Sequence, residues 1–91
     1  MIFLNLARNS IFEIKNLDCL INLQDLSLWF NKLTEIKNLY NLVKLKRLQL
    51  ADNKIFEIEN LGCLVKLTNF DIRDNQIKNQ DYKKEGCKIL I

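Results

Sequence analysis

The chain has no histidine and no proline, and only two glycines, Gly62 and Gly86, among its 91 residues. Without histidine, the usual general base and the commonest metal ligand are both missing. Isolated glycines leave no glycine-rich loop to cradle a phosphate. Cys19, Cys63 and Cys87 form no C-x-x-C pair and are odd in number, which argues against a disulfide framework or a zinc site. No Asn-x-Ser/Thr sequon occurs, and no apolar run approaches the ~18 residues of a membrane helix. The opening MIFLNLARNS does not read as a signal peptide. These absences predict a protein that is not an enzyme, carries no metal or cofactor, does not engage membranes, and resides in the reducing cytoplasm.

A length of 91 residues makes one domain. Such a chain must turn often, and the usual turn residues are scarce. A period of 22 residues accounts for this. Cut at Met1, Leu23, Leu45 and Leu67, the chain aligns with itself. Asparagine holds the ninth place throughout, as Asn9, Asn31, Asn53 and Asn75. The fourth place holds Leu4, Leu26, Leu48 and Phe70, and the sixth Leu6, Leu28, Leu50 and Ile72. Through three units the eleventh, fourteenth, seventeenth and twentieth places are also aliphatic.

This L-x-x-L-x-L-x-x-N-x-[IL]-x-x-I-x-x-L-x-x-L pattern resembles the leucine-rich repeat, over residues 1–77. It looks most like the 22-residue class of cytosolic proteins that includes the leucine-rich regulatory subunit of protein phosphatase type 1. The resemblance implies an α/β solenoid, a right-handed coil with a short parallel concave sheet and a 3₁₀ or irregular convex side. It also implies a protein partner, such as a phosphatase catalytic subunit, a motor component or a spliceosomal protein. The expected organisation is one domain, 1–91, with repeats at 1–22, 23–44 and 45–66, a partial repeat at 67–77, and an irregular tail at 78–91.

The alternating part of each unit has the period of a strand, and the later i, i+3 spacing suits tight turns. Stacking the coils hides leucines that a single coil cannot hide. The ninth-place asparagines are expected to form a ladder, because one amide both donates and accepts where the chain leaves the strand. Asn16, Asn38 and Asn60 share the sixteenth place and are expected to pin the return segment. Glu13, Glu35 and Glu57 share the thirteenth, with Lys15 and Lys37 easing their repulsion.

Places two, three, five, seven and eight point away from the leucines. All three arginines, Arg8, Arg47 and Arg73, fall on this outward surface, but of eleven lysines only Lys46 does. Arginine and tryptophan dominate interface energetics, whereas lysine is depleted there. The candidate partner-binding residues are Trp29, Phe30, Arg8, Asp25, Arg47, Gln49, Asp71 and Arg73. Two readings of the aromatic pair stand. Trp29 and Phe30 form a hot spot, with Arg8 over Phe30 as a cation–π contact; or Trp29 covers Ala7 and Ala51 while Phe30 tucks into the corner.

A nucleic-acid-associated protein using the lysine excess is the alternative, given a net charge of +3. On the outward surface Arg8, Lys46, Arg47 and Arg73 balance Asp25, Asp52, Asp71 and Asp74. The excess falls on loops, back and tail, including Lys83, Lys84 and Lys88, so nucleic acid is disfavoured. The first coil lacks a polar cap, so self-association through uncapped ends is expected unless further repeats cover them. The chain would then act alone as a regulatory or scaffold subunit, or within a longer array.

Overall fold

The apolar residue at each fourth place, between two polar neighbours, becomes the inward centre of a three-residue strand. The computed structural model describes residues 2–91, so Met1, at the head of the first expected repeat, lies outside the described residues. Five strands run in chain order through one parallel sheet: β1 (Phe3–Asn5), β2 (Asp25–Ser27), β3 (Arg47–Gln49), β4 (Asn69–Asp71) and β5 (Lys88–Leu90). Leu4 pairs with Leu26, Leu26 with Leu48, and Leu48 with Phe70, each a step of 22 residues. The result is the expected solenoid, here of roughly four turns.

Inside, Leu26, Leu48 and Phe70 are buried, together with Ile14, Ile36 and Ile58 and the leucines of the first and seventeenth places. Burying each such side chain contributes roughly 1.5–3 kcal/mol. The convex side consists of separate tight turns, with no helix among the described residues. The Leu20 N–H donates to the Leu17 carbonyl and the Leu23 N–H to the Leu20 carbonyl, both at 3.0 Å; Leu39, Leu42 and Leu45 repeat this. Because the bonds advance by three residues, every turn returns a leucine to the inside.

Two columns take a left-handed backbone and replace glycine at the corners. At the eighth place Arg8, Phe30, Asp52 and Asp74 have φ between 57° and 60°; at the sixteenth Asn16, Asn38 and Asn60 have φ between 61° and 64°. Asparagine and aspartate tolerate this region, and other L-residues enter it at a cost of roughly 1–2 kcal/mol. Two of the three sixteenth-place asparagines also pin the return segment, since Asn38 Nδ2 donates to the Ile14 carbonyl and Asn60 Nδ2 to that of Ile36, both at 2.7 Å.

The fourth turn departs from the expected irregular tail. Asn69 pairs with Lys88, a step of 19 residues, so residues 78–91 close a shortened coil and supply β5. The shortening falls beside Asn79. Its amide accepts from the Ile58 N–H at 3.0 Å and donates to the Ile58 carbonyl at 3.1 Å, and the donation matches the one Asn60 makes to the Ile36 carbonyl one coil earlier. Tyr82, Cys87 and Ile89 then pack against the core in place of the aliphatic columns. Strand pairing needs backbone groups and one inward apolar residue. Ile89 is sufficient, although the 22-residue phase is lost.

Candidate functional site on the concave face

The asparagine ladder fixes the strand ends from which the outward side chains project. Asn53 Oδ1 accepts from the Leu33 N–H at 3.0 Å, and its Nδ2 donates to the Leu28 carbonyl of the preceding coil and the Leu50 carbonyl of its own. Asn31 and Asn75 repeat the arrangement with Ile11 and Ile55 as donors. Asn9, which is exposed, donates to Leu6 and Ala7 of its own coil. The ladder continues past the strands: the Arg8, Phe30 and Asp52 N–H groups donate to the Trp29, Ala51 and Arg73 carbonyls at 2.9–3.0 Å. Backbone hydrogen bonds therefore link successive coils at the seventh and eighth places as they do along the strands.

The outward residues of four coils line one open basin of about 740 Å³. Arg8, Asp25, Trp29, Arg47, Gln49, Asp71 and Arg73, all expected on sequence grounds, are brought together there. Phe30 stands beside the basin, 55% exposed, so it does not tuck into its corner. Its ring meets that of Trp29 edge to face, with centroids 5.9 Å apart and planes at 77°.

The expected pairing of Arg8 with Phe30 is corrected. The Arg8 guanidinium lies 5.3 Å from the Trp29 ring centroid, because residues 8 and 29 sit on adjacent coils at neighbouring places. Trp29 Nε1 donates to Asp52 Oδ2 at 2.8 Å, which orients the half-buried indole. Asp52, absent from the expected binding set, thus positions its main aromatic. The column alignment held the signal, since residues 29 and 52 are one place and one coil apart.

Further along, Arg73 forms a two-pronged ion pair with Asp71, at 2.9 and 3.1 Å. Burial alone would raise the Asp71 carboxyl; the side-chain and backbone N–H groups of Arg73 outweigh it and hold the group below the ordinary carboxylate range. Arg47 reaches Asp25 at 3.9 Å and faces the Gln49 amide, whose oxygen lies 2.6 Å from one guanidinium nitrogen when its nitrogen is turned toward Ser27 Oγ. One expected placement is wrong. Lys88, assigned to the tail, is the third-place residue of β5 and lines the same face. Nothing in the broken repeat signals this.

Chemically, the face offers flat aromatic area, paired charges and amide groups, all suited to non-covalent contact. Among the described residues no group of three or more histidine, cysteine, aspartate or glutamate side chains could hold a metal ion.

Four stacked turns, an inward leucine ladder and an outward polar basin define the leucine-rich-repeat fold, and the chain has that fold. Among solved structures it is similar to internalin C2 from Listeria monocytogenes, at 36% sequence identity and a TM-score of 0.81. The match covers 96% of this chain and 38% of that one, so the chain spans little more than a third of the length of internalin C2. No family model and no curated protein matches the chain.

Proposed function

We propose that the chain is a non-catalytic protein-interaction module whose partner docks on the concave sheet face. Trp29 and Phe30 form the centre of contact, with Arg8, Asp25, Arg47, Gln49, Asp71 and Arg73 around them. The observation that carries this reading is Phe30. A bulky aromatic holds a left-handed corner at φ 59° and is still 55% exposed, where neighbouring coils place arginine or aspartate. Folding gains little from it, and a local rule broken without structural return marks a functional position. Trp29 is oriented beside it by Asp52 and Arg8, and such preorganisation lowers the cost of binding.

The proposal extends to a cytoplasmic module of the 22-residue class, acting as a regulatory or scaffold subunit or within a longer array. Its support is the strict 22-residue register of β1 to β4 and three free thiols. A nucleic-acid role is the weaker alternative, because Asp25, Asp52, Asp71 and Asp74 share the basin with the arginines and would repel a phosphate backbone.

Affinity capture from the source cells tests the proposal, comparing the wild type with the Trp29→Ala, Arg47→Ala double variant. A protein retained by the first and lost from the second is expected. Equal retention of the same proteins by both, or retention of nucleic acid instead, would overturn it.

A further inference from the structure

Lys88 changes the charge pattern of the concave face. Strand pairing sets Arg47 beside Asn69, and Asn69 beside Lys88, so the third-place row across β3, β4 and β5 is cation, amide, cation. Two strand spacings, about 10 Å, separate the backbones of the two cations. Both side chains are exposed and long enough to converge above Asn69. A cavity of about 210 Å³ adjoins them, lined also by the Arg73–Asp71 pair and by Leu90, which pairs in register with Asp71.

The charges of this cavity do not cancel. Three cations line it against one carboxylate, and that carboxylate, Asp71, is already gripped by Arg73. The remaining two cations are poorly compensated. Arg47 meets Asp25 only at 3.9 Å, and Lys88 makes no ion pair among the described residues. Leu90, 37% exposed, adds an apolar step beside the positive end.

We propose that this row is a carboxylate-reading subsite: a glutamate or aspartate side chain of a protein partner seats between Arg47 and Lys88, over Asn69, while an adjacent apolar residue of the same segment rests on Leu90. The proposal builds on the concave-face reading and names the chemistry of the partner. Arginine and lysine donate charge-assisted hydrogen bonds to a carboxylate, and the Asn69 amide can add another. A peptide fits better than a polyphosphate. The positive row is short and the four aspartates of the basin lie beside it, so a single acidic side chain is attracted where a continuous anionic backbone is repelled.

Selection of a random displayed peptide library against the whole chain provides the test. Enriched peptides should carry aspartate or glutamate next to an apolar residue. An Arg47→Gln, Lys88→Gln variant should bind them about tenfold more weakly, with a flatter salt dependence. Trp29→Ala should weaken the same peptides, because the sites share one face. Peptides lost with Trp29→Ala but indifferent to the two glutamine substitutions would overturn the carboxylate subsite and leave the concave-face reading standing. Peptides indifferent to all three substitutions would overturn both. An oligothymidine that binds more tightly than the acidic peptides, and is lost with the same glutamine substitutions, would replace the proposal with a polyanion site. Far-ultraviolet circular dichroism of each variant checks that the exposed substitutions leave the fold intact.

Discussion

Asn53 and Leu33 belong to successive coils and are joined by one buried hydrogen bond, from the Leu33 N–H to Asn53 Oδ1 at 3.0 Å. The same amide donates to three carbonyls, those of Leu28, Leu50 and Ala51. One side chain therefore ties a strand end, a corner and the preceding coil. Removing it leaves buried backbone groups without partners, and Asn53→Ala is expected to lower unfolding free energy by about 1–3 kcal/mol. Asn9→Ala, at an exposed position, should cost well under half as much. Urea denaturation of both variants checks this, and equal midpoints would contradict the ladder.

The core makes a simpler prediction. Leu48 is fully buried and pairs in register with Leu26 and Phe70. Leu48→Ala removes apolar volume from the middle coil, at an expected cost of about 2–5 kcal/mol. Each coil contacts only its neighbours, so a weak middle coil also uncouples the two ends. A broadened unfolding transition with a reduced denaturant slope is expected from equilibrium fluorescence.

The corners separate folding from binding. Phe30→Gly relieves a left-handed side chain and loses the edge-to-face contact with Trp29, two effects of about 1 kcal/mol each and of opposite sign. Stability should stay within about 1 kcal/mol of the wild type, while partner capture falls. Asn60→Ala keeps the strained φ of 62° and loses the 2.7 Å bond to the Ile36 carbonyl. It should cost about 1–2 kcal/mol without touching capture. Thermal melts beside a binding assay distinguish the pair.

Stability should respond to pH at the extremes and nowhere between. The Lys37 ammonium donates to Glu13 at 2.9 Å and holds that carboxyl below its ordinary range, and Asp71 is lowered by Arg73 despite its burial. A depressed folded pKa gives stability that is complete above the unfolded value of about 4 and disappears as pH falls through the folded value. Lys37, raised by the same hydrogen bond, contributes below its unfolded value of about 10.4 and loses the contribution as pH rises through the folded one. The chain has no histidine, so urea midpoints should be level from about pH 5 to 8. Asp71→Asn should soften the acid limb. A step between about pH 6 and 7 would contradict this account.

Legibility in the sequence followed the repeat. Where the 22-residue phase held, strand centres, buried columns and the asparagine bonds could all be read from it, as Leu26, Leu48 and Asn53 illustrate. Seven of the eight expected site residues converge on one basin for the same reason. The shared column puts Arg8 beside Phe30, yet its guanidinium lies against Trp29 one place earlier, since long side chains choose among several neighbours at similar distance.

By itself the sequence determined the repeating unit. A period of 22 with inward leucines and a bonding asparagine admits one way of hiding its apolar surface, and that is stacking. Only the tertiary structure decided how the array closes after residue 78 and which charges gather on its outward face. A strand joins the sheet through its backbone, whatever its side chains spell, so Lys88–Leu90 could enter as β5 without the repeat that announced the other four.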